Sequence, residues 1–335
     1  MSADQSTSPI QAWGQTHKAQ RAHNQDALLI DLAHGLVVVA DGVGGQDAGE
    51  VASGLTCEVF AREVAAGSTL EAAIRKSNAE ILAAVSDGLG REGMATTVVA
   101  LHFDGADYEL AWLGDSRAYL WSENLALLSR DHSYVEALIA SNQISIEDAR
   151  VHPKKNIVTQ AIGAQSTEQL NIGTNRGRLQ PGQVILLCSD GLNDAIPTAS
   201  IVKILSADQP LQVRCQQLVS AALDAGGRDN ITAVLVEGSP RLVSQEGAAV
   251  PDFVWIYDAA TAQYKEFREP TSKTVVAIKR ISARTLDETK LLASAPVGAR
   301  NKRHKRSREV RVYLLCGLFF AAAMLYLSLS DNAYW

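Results

Sequence analysis

Cysteine is scarce in this 335-residue chain: four, at Cys57, Cys188, Cys215 and Cys316, with no CxxC pair among them. That excludes a zinc knuckle, offers no disulfide framework, and suits a reducing compartment. Positive charge is not in excess either. Lys and Arg number 31 against 37 Asp and Glu, a net charge of -6, so no general attraction to nucleic acid is expected. The opening MSADQSTSPI has no apolar core of the kind a secretory signal needs. Long apolar runs are missing until the very end. There, residues 312–330 form 19 uncharged positions, preceded by seven Lys/Arg in the twelve residues 300–311. That length suits a helix crossing about 30 Å of hydrocarbon, and basic flanks stay in the cytoplasm. The expectation is a single-pass anchor at the cytoplasmic membrane, with the bulk of the chain in the cytoplasm.

What is present is enough for a substantial core: 47% of residues are hydrophobic and 20% charged. Residues 10–237 alternate short apolar runs with helical patterns. Strands are expected at 27–32, 36–40, 96–103, 108–113, 117–121, 184–189 and 232–237. Helices are expected at 48–66, 69–86 and 211–225. Asp104-Gly105 reads as a hairpin turn. Tight turns between strands, with helices in pairs, point to an α+β fold of antiparallel sheets with helices outside. The remaining divisions are a flexible N-terminus at 1–9, a linker at 238–311 carrying a small hairpin and the basic juxtamembrane segment, the span at 312–330, and a tail at 331–335. A short helix fits 285–292. No internal repeat is present.

Acids recur at the ends of the apolar runs. VVVADGVGG ends a strand pattern on Asp41-Gly42, and VILLCSDGLND repeats the form at Asp190-Gly191, with Asp194 beyond it. Asp229-Asn230 precedes a strand, Gly114-Asp115 stands between two, and Asp26 opens the first. A lone Asp-Gly is a turn signal. Several in order raise a physical problem, because clustered carboxylates repel and burying them unpaired is unfavourable. Hard divalent cations resolve it: Mg²⁺ and Mn²⁺ take oxygen ligands and keep several waters, so few protein ligands are needed. A glycine after Asp41 lets the backbone approach closely enough for its carbonyl to serve as well.

The ordered set Arg21-Ala-His-Asn-Gln-Asp26, Asp41-Gly-Val-Gly-Gly45, Met94-Ala-Thr-Thr97, Gly114-Asp-Ser-Arg117, Arg130-Asp-His-Ser133, Thr159-Gln-Ala-Ile-Gly163, Ser189-Asp-Gly-Leu192 and Asp229-Asn-Ile-Thr232 resembles the bacterial metal-dependent serine/threonine protein phosphatases of the PP2C (PPM) family. The resemblance runs over about residues 16–237. It implies a four-layer α-β-β-α sandwich of two antiparallel sheets flanked by helix pairs. It also implies two Mn²⁺ or Mg²⁺ ions in a cleft at one edge. Asp41 matches the carboxylate bridging both metals, and Gly42 supplies a carbonyl ligand. Asp190 and Asp229 match ligands of the first metal, and Asp115 and Asp194, with Asp190, match a weaker third site. Arg21 matches the arginine that grips the substrate phosphate. Asp26 matches a residue holding metal-bound water, and Asn230 a brace for Asp229. The implied reaction is direct attack of a metal-bridging hydroxide on phosphoserine or phosphothreonine, with no covalent intermediate. The implied partners are phosphorylated proteins and a cognate kinase, and the catalytic domain is expected to be monomeric. The segment from His132 to about residue 164 corresponds to a flap beside the cleft.

Two positions depart from the family's common pattern. Gln25 stands where a metal-associated Glu is often found. Val43 stands where some members carry a His that protonates the leaving group, so no general acid is assigned. Val276-Ala277-Ile278-Lys279 reads like a kinase strand motif, but no glycine-rich loop, HRD or DFG accompanies it. Against an active phosphatase stand two alternatives: a pseudophosphatase that binds phosphoproteins, and a membrane scaffold.

Overall fold

The computed structural model describes residues 9–44, 48–88, 92–239, 253–258 and 263–268. Two compact units divide the chain, Met1–Lys279 and Arg280–Trp335, and the second lies wholly outside the described residues. The helix expected at 285–292, the basic segment 300–311 and the apolar stretch 312–330 therefore lie outside them. Among the described residues no helix is long and apolar enough to cross a membrane.

The first unit begins with β1 (Ile10–His17), β2 (Asp26–Asp31), β3 (Leu36–Val43), α1 (Ala48–Ala65) and α2 (Leu70–Ser86). Next come β4 (Ala95–Thr96), β5 (Val98–Asp104), β6 (Asp107–Leu113), β7 (Arg117–Trp121), β8 (Leu125–Leu127), α3 (Tyr134–Ala140) and α4 (Ile146–Val151). The second half holds β9 (Gly173–Arg178), β10 (Val184–Cys188), α5 (Asp190–Ala195), α6 (Thr198–Leu205), α7 (Leu211–Asp224), β11 (Ile231–Gly238), β12 (Phe253–Asp258) and β13 (Gln263–Arg268).

The strands form two antiparallel sheets. One runs β1-β11-β10-β7-β8-β12-β13, the other β2-β3-β5-β6-β9 with β4 alongside β3. Strand alternation builds three apolar layers. Val37, Val39, Val99, Leu101 and Trp112 of the second sheet meet Ile185, Leu187, Val234 and Val236 of the first between the sheets. Leu36, Val38, Val98 and Ala100 turn the other way, onto Phe60 and Val64 of α1 and Ile74 and Ile81 of α2. Val184, Leu186 and Cys188 face Ile201, Leu205, Cys215 and Leu218 of α6 and α7. Each sheet is thus covered on both faces, which is why LVVVA and VILLC are apolar throughout instead of alternating. Fully burying one such Val or Leu contributes about 1.5–3 kcal/mol, so this layering dominates the fold's stability.

Helix α2 begins one residue later than its apolar spacing suggests, because Thr69 is its N-cap and accepts the Ala72 N–H at 3.2 Å. A larger difference concerns the end of the domain. The expected boundary at 237 leaves the hairpin of 253–268 in a linker. Instead β12 pairs with β8, Trp255 opposite Leu127 and Ile256 opposite Ala126, so the hairpin completes the first sheet. The Trp112–Phe253 edge contact at 6.0 Å and the Asn175 Nδ2 bond to the Phe253 carbonyl at 3.0 Å fix it there.

Candidate active site

Asp26 and Asp41 face each other directly across β2 and β3. The sequence pattern puts Asp41 at a strand tip, but the strand runs on through Gly42 and Val43, which pair with Thr96 and Ala95 of β4. The Asp41 carbonyl accepts from the Thr97 N–H at 2.8 Å and from Thr96 Oγ1 at 2.8 Å. Thr96 and Thr97, fully buried, thus hold the backbone that carries the carboxylate. Gly42 is required by closeness: a Cβ there meets the Gly49 carbonyl oxygen at 2.2 Å and that of Gln25 at 2.5 Å.

Asp190 opens α5 directly after β10. Ser189 anchors this corner. Its N–H bonds the Thr232 carbonyl at 3.1 Å, and its Oγ accepts the Thr232 N–H at 3.0 Å while donating to Asp26 Oδ2 at 2.8 Å. Asp26 Oδ2 also accepts from Thr232 Oγ1 at 2.6 Å. Thr232 in turn is bonded to Thr16 at 2.7 Å, and Thr16 accepts from Asn24 Nδ2 at 2.8 Å. This chain of side chains ties β1, the β10–α5 corner and β11 to one carboxylate. Sequence reasoning missed Ser189, Thr232 and Thr16; Ser189 and Thr232 are marked only by their place inside the matched motifs, and Thr16 by nothing local.

Asn230 does more than brace its neighbour. Its N–H bonds Asp229 Oδ1 at 2.8 Å, and its amide donates to the carbonyls of Lys18 at 3.1 Å and His23 at 2.9 Å. Its Oδ1 accepts the Gln25 N–H at 2.8 Å. Asn230 therefore clamps the whole loop 18–25, which presents Arg21. The Arg21 guanidinium lies 2.8 Å from Asp229 Oδ2, both side chains being largely open to solvent. On the other flank, Lys155 beyond α4 lies 2.7 Å from Asp194 Oδ2.

Asp115 sits in the turn between β6 and β7. Arg117 makes a two-pronged bond to Asp131, 2.9 and 2.6 Å, beside it. His132 fixes the same turn: its ring Nδ1 accepts the Gly114 N–H at 3.1 Å, and its backbone N–H donates to the Gly114 carbonyl at 2.8 Å. Burial lowers the His132 pKa, in keeping with a neutral ring whose Nδ1 acts as acceptor.

The electrostatics show the convergence. Burial first, then the charges of Asp26, Asp190, Asp115 and Asp229, push the Asp41 pKa well above the ordinary carboxylate range. Burial, then Asp115 and Asp229, pushes Asp190 up to about 8. Asp115 rises to about 7 and Asp26 to about 6, again mainly through burial. Asp190 Oδ1 and Asp26 Oδ1 are buried with no hydrogen-bond partner among the described residues. Among those residues no three acid, His or Cys side chains already close on one point as a ready-made cage. Two of the expected ligands, Asp229 and Asp194, hold Arg21 and Lys155 instead. Oxygen-only donors, mutual repulsion and orphaned carboxylate oxygens fit hard divalent cations that keep much of their water. They do not fit zinc, which prefers His and Cys.

A two-sheet sandwich with helices outside and such a carboxylate cluster at one edge defines a metal-dependent phosphatase. The protein phosphatase 2C family model matches residues 13–233. The serine/threonine phosphatase stp of Listeria innocua is 35% identical over 213 residues, 60% of this chain and 84% of that protein. The crystal structure of the Mycobacterium tuberculosis serine/threonine phosphatase PstP/Ppp superposes with a TM-score of 0.63 at 29% identity, covering 69% of this chain and 99% of that one. The catalytic domain of PstP in complex with two manganese ions gives 0.61 at 29% identity, covering 68% and 97%. The chain belongs to the protein phosphatase 2C family and is a protein serine/threonine phosphatase.

Proposed function

We propose that this phosphatase uses two Mn²⁺ or Mg²⁺ ions, held by Asp41, the Gly42 carbonyl, Asp190 and Asp229, to hydrolyse phosphoserine and phosphothreonine directly. The observation that carries this is convergence: after burial, the charges of Asp26, Asp190, Asp115 and Asp229, from distant segments, raise the Asp41 pKa, and those of Asp115, Asp229, Asp194 and Asp26 raise that of Asp190. The manganese-bound PstP relative supports it. Asp115 and Asp194, with Asp190, are the oxygens suited to a third ion. When bound, the ions supply a water acidified for attack on phosphorus near neutral pH. The rest is this chain's work. Asp26, locked by Ser189 and Thr232, is placed to accept a hydrogen bond from water at the cluster. Arg21, whose present partner Asp229 is wanted by a cation, is released to make a forked contact with two phosphoryl oxygens.

The apolar stretch 312–330 behind a basic segment supports a tether at the inner face of the cytoplasmic membrane, where the enzyme reverses kinase signalling. Cutting residues 300–335 should then move the protein to the soluble fraction with turnover intact; a truncated chain that still pellets with membranes contradicts the tether.

The decisive assay is hydrolysis of p-nitrophenyl phosphate and a phosphothreonine peptide with and without Mn²⁺. Turnover should require the metal and fall by at least about a hundredfold in Asp190→Asn. Phosphopeptide binding without Mn²⁺-dependent hydrolysis would mean a pseudophosphatase instead.

A further inference from the structure

The matched family stretch ends at residue 233, so the β12–β13 hairpin lies beyond it. This hairpin walls a cleft of about 570 Å³ that also takes in three carboxylates of the candidate site. Asp115, Asp190 and Asp194 line the cluster end; Trp255, Tyr257 and Tyr264 line the hairpin end. Val135 and Ile139 of α3 close it from the flap side, and Ile196 and Pro197 from below α6.

The hairpin wall is well braced. Tyr257 and Tyr264 pack at 5.4 Å with their rings tilted by 54°, Tyr264 OH donates to Thr198 Oγ1 at 3.4 Å, and the Arg130 guanidinium lies 5.9 Å from the Trp255 ring. Charge in this half of the cleft is internally balanced: Arg117 pairs with Asp131, Arg130 with Glu136, and Lys155 with Asp194. Only Asp115 and Asp190, at the cluster end, lack such a partner in the lining, and those are the carboxylates suited to cations. What remains is a mixed lining without net charge, in which Trp255, Tyr257, Tyr264, Ile139 and Val135 form an apolar patch beside polar Ser129, Ser133, Asn156, Asn193 and Thr198. A cleft of this size takes one large side chain, and its aromatic and aliphatic patch favours an apolar one.

We propose that the β12–β13 hairpin gives this phosphatase a side-chain subsite, in which Trp255, Tyr264 and Ile139 receive a large apolar residue of the substrate close to the phosphorylated one. The proposal rests on the phosphatase reading above and deepens it. The occupant is argued from continuity: one cleft is lined both by Asp115, Asp190 and Asp194 and by the hairpin's Trp255 and Tyr264. A substrate whose phosphate reaches those carboxylates lays its neighbouring residues along the cleft, each extended residue advancing about 3.3–3.6 Å. The three positions on either side of the phosphorylated residue, about 10 Å of extended chain, are the ones such a subsite would read.

The test uses the full chain and a phosphothreonine peptide series in which each of three positions on either side is Leu, Phe or Gly. The companion substrate is p-nitrophenyl phosphate, which has no neighbouring residues. At one position kcat/KM should favour Leu or Phe over Gly by about tenfold or more, the usual scale for filling an apolar pocket. Trp255→Ala and Tyr264→Ala should cut that preference to below about threefold while p-nitrophenyl phosphate turnover stays within about twofold. Tyr264→Phe should keep the preference. Ile139→Asp, on the opposite wall, should lose it without touching the hairpin's packing. Photo-cross-linking from p-benzoylphenylalanine at position 264 should capture the peptide. A flat peptide profile with normal p-nitrophenyl phosphate turnover overturns the subsite alone. So does a preference that survives all three of Trp255→Ala, Tyr264→Ala and Ile139→Asp, or cross-linking only to residues 269–335 or to a second copy. If the wild-type chain hydrolyses neither substrate, the phosphatase reading falls, and the subsite with it.

Discussion

Arg21 and Asp229 sit in a bond whose meaning changes with what else is present. At 2.8 Å and largely exposed, the pair adds little to stability. Its interest is competition. In the proposed mechanism a divalent cation competes for Asp229 and a phosphate for the Arg21 fork. Lys155 and Asp194 repeat the arrangement on the far side of the cluster. Hydrogen bonds to charged groups contribute about 1.5–3 kcal/mol. Arg21→Ala should therefore lower kcat/KM for a phosphopeptide by about 10–100-fold. Arg21→Lys, which keeps charge but not the fork, should recover only part of it. Steady-state kinetics at saturating Mn²⁺ check this; an Arg21→Ala enzyme with unchanged kcat/KM removes Arg21 from phosphate binding.

The elements converge because short side chains let them. Gly191, in the first turn of α5, stands so near the loop before β11 that a Cβ would meet the Asn230 carbonyl oxygen at 1.9 Å. That approach brings Asp190 and Asp229 toward one site. Gly191→Ala has to push the loop away, and overpacking of this kind costs about 1–3 kcal/mol. Calorimetry should find weaker Mn²⁺ binding as well as a lower Tm; a variant with lower Tm and undiminished metal affinity would show that this contact serves the fold alone. Much of this level was legible in the sequence. Apolar runs at 36–40 and 184–189 and helical spacing at 48–66, 69–86 and 211–225 mark the elements that carry the three core layers. Strand β9, GTNRGR, was not legible, because two glycines and two arginines hide a strand held by its pairing with β6. Helix α5 is only six residues, too short for a period to show. The acids of the cluster stood out through their motifs. The hydroxyls of Thr16, Ser189 and Thr232 did not, since nothing local distinguishes them from ordinary strand residues. Nor did the bond from Asn230 to a loop over two hundred positions away.

For the molecule as a whole, the carboxylate cluster makes stability depend on pH and metal together. Without metal, Asp190, Asp115 and Asp26 have pKa values of about 8, 7 and 6 in the folded chain, all above the ordinary value of 3.8. The folded state then binds more protons than the unfolded one between pH 4 and 8, so stability falls as pH rises through that range. Bound cations hold the ionised carboxylates and relieve the repulsion, adding stability by mass action. The gap in Tm between Mn²⁺-loaded and EDTA-treated protein should accordingly widen from pH 5 to pH 8. Differential scanning calorimetry at several pH values reads it, and a constant or shrinking gap contradicts the coupling. The central claim is that carboxylates from four parts of the chain share hard cations at one edge of the sandwich. Anomalous diffraction at the manganese edge, from crystals grown with Mn²⁺, tests it most directly. Two peaks within about 2.6 Å of carboxylate oxygens, with Asp41 touching both, are the result predicted. Manganese bound elsewhere, or no peak at all beside Asp41, Asp190 and Asp229, would contradict it.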